Sequence, residues 1–154
     1  MNIIILMLKQ KNSQEVFFMT ENRNFSCRSV TYEMLLKDRM PCAASSITNC
    51  NEKNEGGRVS FFATPMGTAV RVALTSIPFF GEEYEPCFME IEEKRNSRYR
   101  SVTSSLPPIF THRGSGSMTF MTDRFSASDI IGKRINFKKN DRIIASGIIF
   151  PTAK

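Results

Sequence analysis

Residues 58–76 read RVSFFATPMGTAVRVALTS, and they carry the clearest structural signal in the chain. Two runs of β-favouring residues, Arg58–Thr64 and Thr68–Ser76, flank the tripeptide Pro65-Met66-Gly67. Because proline presets φ and glycine accepts positive φ, the tripeptide predicts a tight turn. The stretch as a whole therefore predicts a β-hairpin.

The second run of this hairpin alternates apolar and polar residues. Val70, Val72 and Leu74 should face one side and Arg71 the other, the period of two that is typical of a half-buried strand. Six or seven short strands with little helix predict an all-β fold. We expect an antiparallel Greek-key β-sandwich or flattened barrel of immunoglobulin-like architecture. The further strands predicted by residue type are Cys87–Glu93, Ser117–Thr122, Lys133–Phe137 and Ile143–Phe150.

The first 40 residues differ from the rest, and we treat residues 1–40 as an extension of a domain over 41–154. Val30–Met40 carries side chains at helical spacing and predicts a short helix. Pro41 would end this helix, because proline lacks the N–H and disfavours the helical region for the preceding residue. The alternative is a disordered extension. The connecting segments predicted within the domain are a polar loop, Asn49–Gly57, and a single helical turn, Ser126–Ile131.

The chain has 154 residues, which suits one domain, and its formal net charge is +6. Basic residues are concentrated in two clusters, which suit a phosphate backbone or an acidic partner. Tyr99 is the lone candidate for base stacking, and no nucleic-acid-binding motif accompanies the clusters. The sequence therefore favours a solvated loop surface over nucleic-acid binding. The clusters are Lys94, Arg95, Arg98 and Arg100, and Lys133, Arg134, Lys138, Lys139 and Arg142.

Histidine and cysteine content excludes several kinds of site. A single histidine cannot supply the two or more imidazoles that most copper and catalytic zinc sites need. The cysteines at 27, 42, 50 and 87 form no C-x-x-C pair, which argues against a zinc ribbon or a thioredoxin-type site. An apolar run at residues 3–8 is far shorter than the roughly 20 residues that cross a bilayer, and it lacks signal-peptide features. We therefore expect a cytoplasmic protein with reduced thiols and no membrane partner.

The order of several segments resembles the copper/zinc superoxide dismutase family, in particular its short bacterial members. Together the segments cover about residues 41–150. The resemblance implies that family's β-sandwich, with copper and zinc held by histidines and a dismutase activity. The segments are GRVSFFATPMGTAVRV (57–72), LPPI (106–109), MTFMTDRF (118–125), IGK (131–133) and ASGII (145–149).

The metal ligands that the resemblance implies are absent from the matching positions. Where the family has Phe-His-Ile-His on a strand, this chain has Met89-Glu90-Ile91-Glu92. A further copper-ligand position falls on Lys138. Two zinc-ligand positions, a histidine and an aspartate in the family, fall on Val102 and Ser105. Carboxylates favour harder ions than redox copper, and the two zinc-ligand positions hold residues that do not match the family's ligands. The sequence therefore predicts that neither copper nor zinc is a cofactor.

The family's functional loops and disulfide are also missing from the pattern. A short segment, Lys94–Ser105, stands where the family has its long zinc loop, and Lys139–Arg142 stands where the family has a charged loop with the active-site arginine. We expect no catalytic residue. Arg142 is the nearest candidate, and it lies one position before the place where that arginine would align. A disulfide cysteine of the family corresponds to Ser146, so that bridge cannot form.

These departures predict a non-catalytic superoxide-dismutase-like protein, a pseudoenzyme that binds another protein or a second copy of itself. The alternative is a divergent metal-dependent oxidoreductase in which Glu90, Glu92 and His112 hold the metal. Against it, two glutamates on one strand face are more typical of a solvated surface, and His112 lies in a predicted loop. Cys87 has no evident base nearby, which argues against a nucleophile. Weak nucleic-acid binding and a decayed, unstably folded product are further alternatives.

Overall fold

Short β-strands make up nearly all the regular structure of the protein in a computed structural model. The model describes the backbone of residues 4–10, 13–19 and 25–26, and backbone and side chains of residues 36, 39–103 and 106–152. The strands are β1 Ile4–Gln10, β2 Ser13–Met19, β3 Phe25–Ser26, β4 Ala43–Asn49, β5 Glu55–Thr64, β6 Gly67–Leu74, β7 Glu85–Arg95, β8 Arg98–Ser101, β9 Ile109–Thr111, β10 Gly116–Thr122, β11 Arg134–Lys139, β12 Arg142–Ile148 and β13 Phe150–Pro151.

All of the strand pairs are antiparallel. Strands β1, β2 and β3 form a small sheet, and the others form a large one with the order β10-β6-β5-β4-β12-β11-β7-β8. Strand β9 pairs with β7, and β13 pairs with β4. The large sheet curls into a half-barrel, which confirms the predicted all-β antiparallel class.

The core lies on the inner face of the curled sheet. Phe61, Phe120 and Phe137 are its largest fully buried side chains, and they come from three different strands. Burial of a side chain of this size stabilises the fold by about 1.5–3 kcal/mol relative to an exposed position. The curl is therefore held by apolar side chains that only meet when distant strands pair.

The predicted hairpin is confirmed. Strands β5 and β6 pair from Gly57–Leu74 to Thr64–Gly67, so the connecting turn consists of Pro65 and Met66. Gly67 has a φ of 132°, and a Cβ at this position would lie 2.7 Å from the carbonyl oxygen of Thr122. Glycine is therefore required here both by its conformation and by the close approach of β10.

The other predicted strands are also present, with ends that differ by a few residues. Within the domain 41–154, β4, β8, β9 and the separate short strand β13 were not predicted, and neither were β1, β2 and β3 in the extension. In β4 the buried positions alternate correctly but include Ser45 and Asn49, whose polar side chains are typical of loops. The predicted loop Asn49–Gly57 is accordingly shorter, because Asn49 ends β4 and Glu55 begins β5. Short strands of polar residues lack the apolar alternation that identifies a strand.

The structure contradicts one of the two predicted helical segments, Ser126–Ile131, and does not describe most of the other. Residues 127–132 form successive turns and no helix, with the amide of Asp129 donating to the carbonyl of Ser126 at 3.1 Å. Most of the predicted helix Val30–Met40 lies outside the described residues. Within the extension 1–40, the structure describes the backbone of β1, β2 and β3. No helix in the described part of the chain has the length and apolar character needed to cross a bilayer.

Candidate functional site

Strands β7 and β11 bring three glutamates of one strand to three basic residues of the other. In the antiparallel register Glu92 lies opposite Arg134, and Glu90 lies opposite Asn136. The three ion pairs are Glu92–Arg134 at 2.6 Å, Glu90–Lys138, and Glu85–Lys139 at 2.7 Å. Both glutamates of the predicted metal set are thus bound to cations of the chain itself.

The first two pairs lie on the outer face of the sheet. The side chains of Glu90 and Glu92 are 23% and 12% exposed, so they are half-buried and do not form the solvated face that the sequence suggested. The hydrogen bond to Glu90 raises the pKa of Lys138, and this effect outweighs the opposing effect of burial. The Arg134 guanidinium also stacks on Tyr99, with 3.7 Å from Cζ to the ring centroid.

Asn136 lies between the two outer pairs and is fully buried. Its Cα partners are Glu90 on β7 and Ser146 on β12. Among the described residues, neither Nδ2 nor Oδ1 of Asn136 has a hydrogen-bond partner. A buried amide without hydrogen-bond partners is costly, and among the described residues Asn136 is the one with two such buried polar atoms.

The third pair is buried beneath the connection between β6 and β7. Lys139 is 2% and Glu85 is 5% exposed at the side chain, and Lys139 Nζ also donates to the carbonyl of Pro78 at 3.0 Å. Burial by itself raises the pKa of Glu85. The hydrogen bonds from Lys139 and from the amides of Phe80 and Glu82 outweigh burial and hold the pKa below its usual value. The sequence placed Lys139 in a solvated loop, and this expectation is wrong because Lys139 ends β11 and its side chain is buried against Pro78 and Glu85.

Cys87 lies on the core side of β7 and is fully buried. Burial raises the pKa of its thiol to about 12, against a smaller opposing effect of Lys139. A thiol in this state is not a nucleophile near neutral pH, because the thiolate is the reactive form. The buried position therefore argues further against a nucleophilic role for Cys87.

The structure does not bring His112 to Glu90 and Glu92. His112 Nδ1 lies 2.8 Å from the carbonyl oxygen of Glu83, and its ring packs against Tyr84 with 5.3 Å between centroids. In the described ranges, no group of three or more His, Cys, Asp or Glu side chains is close enough to hold a metal ion.

The remaining predicted site positions are dispersed. Val102 is 38% exposed just after β8, and its amide donates to the carbonyl of Ile91. Arg142 is exposed at the start of β12, opposite Lys139 in the strand register. Ser105 lies outside the described residues.

A cleft of about 490 Å³ opens between the β5–β6 turn and the segment before β11. Its lining is mostly apolar, with Cys42 and Asp123 as reactive or charged members. A smaller cavity of about 150 Å³ lies beside the buried pair and includes Phe80 and Asn140 in its wall. Neither cavity contains the predicted metal positions Glu90 and Glu92.

No protein-family model matches this chain, and no curated protein sequence matches it. The site must therefore be judged on its own residues. Sequence reasoning missed Glu85, Arg134 and Asn136 as members of the polar network. The charged residues along β7 and β11 could have indicated a polar network. Only the register between the two strands shows which of these residues meet.

Proposed function

We propose that the protein is a non-catalytic, superoxide-dismutase-like β-sandwich that acts as a binding module. The observation that carries this proposal is the ion pair between Glu90 and Lys138. The resemblance assigns a copper ligand to each of these positions. A lysine ammonium has no free lone pair with which to bind a metal. The ammonium of Lys138 also forms an ion pair with the carboxylate of Glu90, which would otherwise be available to a metal ion.

The residues at these positions do not fit copper. Glu92, at the remaining copper position of β7, receives hydrogen bonds from Arg134 Nε and Nη2 at 3.2 and 2.6 Å. Two carboxylates neutralised by two cations leave no net charge to attract a divalent ion. Carboxylates are also poor ligands for a copper redox couple compared with imidazole. No contact among the described residues supports Glu90, Glu92 and His112 as a metal site.

The strand order supports the fold part of the proposal. Strand β9 pairs with β7 and joins β10 through the His112–Ser115 bridge, and β11 returns to pair with β7. Apart from the hairpin strand β8, which lies between β7 and β9 in the chain, the neighbours run β11-β7-β9-β10, the order of a Greek key. The prediction of Greek-key connections and the relationship to superoxide dismutases remain part of this proposal.

The connections between strands support the loss of the functional loops. Asn140 and Asp141 alone join β11 to β12, and both have positive φ values, 50° and 60°. Two such residues form the tight hairpin turn that suits twisted antiparallel strands. A second hairpin, turning at Asn96 and Ser97, occupies the segment where the resemblance calls for the zinc loop.

Metal analysis and a dismutase assay on the same purified protein test the proposal. After incubation with copper and zinc salts and removal of free metal, we expect less than one tenth of a metal ion per chain and no activity above a buffer control. A matched variant, Glu90→His/Glu92→His/Lys138→His, removes the ion pairs and restores three imidazoles. We expect this variant to retain more copper than the parent. Stoichiometric metal and metal-dependent turnover in the parent protein would overturn the proposal.

A further inference from the structure

The hairpin of β7 and β8 ends the large sheet, and β8 is its edge. In the described part of the chain β8 has one neighbouring strand, β7. All four residues of β8, Arg98–Ser101, are exposed. An edge strand carries unpaired backbone groups that can accept a further strand, so this edge is a potential interaction surface.

The register shows which backbone groups face outward. Val102 donates its amide hydrogen to the carbonyl of Ile91, which identifies residues 91 and 102 as a hydrogen-bonded pair. Hydrogen-bonded and non-hydrogen-bonded pairs alternate along an antiparallel ladder. The backbone groups of Arg98 and Arg100 are therefore hydrogen-bonded to β7. The N–H and C=O groups of Tyr99 and Ser101 point away from β7, toward the open edge of the sheet.

The side chains along this edge are strongly basic. Arg95 pairs with Glu93 at 3.1 Å, whereas Lys94, Arg98 and Arg100 have no ion-pair partner among the described residues. Arg98 and Arg100 share one face of β8, two residues apart. Residues at this spacing in a strand are roughly 6.8 Å apart, so the two guanidinium groups suit carboxylates at alternate positions of a neighbouring strand.

The same features disfavour two other occupants. A second copy paired edge to edge through β8 would place arginines against arginines, and like charges on neighbouring strands are destabilising. Proteins that bind single-stranded nucleic acid combine basic side chains with aromatic faces for stacking, and one face of the Tyr99 ring is already covered by Arg134 at 3.7 Å. An extended peptide requires no stacking surface, because it bonds to the backbone groups of the edge.

We propose that β8 binds an acidic peptide segment of another protein as an added antiparallel strand. The backbone of Tyr99 and Ser101 supplies the hydrogen bonds, and Arg98 and Arg100 bind acidic side chains at alternate positions of the peptide. This inference rests on the proposed binding role, for which it names the class of partner.

The test uses a fluorescent octapeptide of alternating Asp and Val, titrated with the full chain at low salt and followed by fluorescence anisotropy. We expect saturable binding that weakens as salt is raised. Methylation of the peptide nitrogens on the pairing edge leaves the charge unchanged but removes the donors, so we expect at least tenfold weaker binding.

Protein variants separate backbone pairing from charge. Ser101→Pro removes an outward N–H without removing a bond to β7, and we expect at least tenfold weaker binding, whereas Ser101→Ala should bind like the parent. Arg98→Glu/Arg100→Glu should abolish binding. The charge-matched control Arg58→Glu/Arg113→Glu changes exposed arginines away from the edge and should reduce binding less than threefold.

Several outcomes would overturn the inference. These are an absence of binding at low salt, equal binding of the methylated peptide, or equal or tighter binding of an oligothymidylate of the same charge. If Ser101→Pro fails to fold, as judged by its thermal transition, the titration with the methylated peptide tests backbone pairing by itself. A negative result leaves the metal and dismutase measurements untouched, so failure of this inference is distinguishable from failure of the proposed function.

Discussion

Lys139 donates a hydrogen bond of 2.7 Å to Glu85 although 54 residues separate them in the sequence. Both side chains are buried, and Glu85 also accepts bonds from the amides of Phe80 and Glu82. Lys139 in turn donates to the carbonyl of Pro78. The pair therefore links the long connection between β6 and β7 to the end of β11. Removing the ion pair should lower the free energy of unfolding.

Lys139→Met should destabilise the protein by about 3–5 kcal/mol, because it leaves a buried carboxylate without its cation. Urea unfolding at neutral pH gives the free-energy difference. Lys138→Met is the matched control, since it removes the neighbouring lysine from a half-buried pair, and it should cost about 1 kcal/mol or less. Equal losses of stability for the two variants would contradict the buried position of the Lys139–Glu85 pair.

Glu85 should make stability depend on pH in acid. Its pKa in the folded protein lies below the ordinary value of 4.5, so ionised Glu85 stabilises the fold above about that pH. The contribution is lost as pH falls through the lowered folded pKa. The stability difference between parent and Glu85→Gln, measured by urea unfolding from pH 7 to pH 3, should shrink below about pH 4.5. For Glu93→Gln, in a more exposed pair, we expect little change; a constant difference for Glu85→Gln would refute the linkage.

Gly114→Ala should be more destabilising than Gly132→Ala. Both glycines have similar positive φ values, 81° and 85°, but an added Cβ at 114 would lie 2.4 Å from the carbonyl oxygen of Ile77, while 132 has open space. We expect about 1 kcal/mol for Gly132→Ala from backbone conformation alone. Gly114→Ala should cost about 1–3 kcal/mol more because of overpacking. Thermal denaturation of the two variants in parallel checks this difference.

Cys87 should resist alkylation in the native protein. With a pKa of about 12 rather than 9.0, its thiolate population is about a thousandfold lower, and burial further limits access. Cys42 and Cys50 are exposed and serve as internal controls. Iodoacetamide labelling at pH 8 followed by peptide mass analysis should show modification of the two exposed thiols first. Comparable labelling of Cys87 before unfolding would contradict its buried position.

Asn136→Leu should leave stability unchanged or raise it, because it removes two buried polar atoms that have no partner among the described residues. Asn49→Leu is the matched control. Asn49 Nδ2 donates to Asn54 Oδ1 at 2.9 Å and to the carbonyl of Ser76 at 2.6 Å, so its loss should cost about 1–3 kcal/mol. A large loss in Asn136→Leu would indicate that a bound water or ion satisfies the amide.

The fold was predictable where residues alternate over a whole strand. The pattern at Val70, Val72 and Leu74 identified β6, because the period of two is a local property of the chain. Strand β4 was missed since Ser45 and Asn49 occupy buried positions, and β9 was missed because three residues are too few to show a period. Pairing with neighbours, which the sequence does not display locally, stabilises both strands.

The candidate site was predictable in part. The resemblance matched Glu90, Glu92 and Lys138 to ligand positions of the family. It did not indicate which groups these side chains contact in this protein. The structure shows that Glu90 binds Lys138 and that Glu92 binds Arg134. The charge pattern suggested solvated surfaces, because a run of charged residues does not reveal that a facing strand carries the opposite charge.

Residue types and their spacing were sufficient for the all-β class and for excluding sites built from two or more histidines, since both follow from composition and local periodicity. The assignment of each glutamate to its cation came only from the folded chain. Ion pairing depends on the register of β7 against β11. That register is set by core packing of Ile91 on β7 against Ile135 and Phe137 on β11, and the two strands are far apart in sequence.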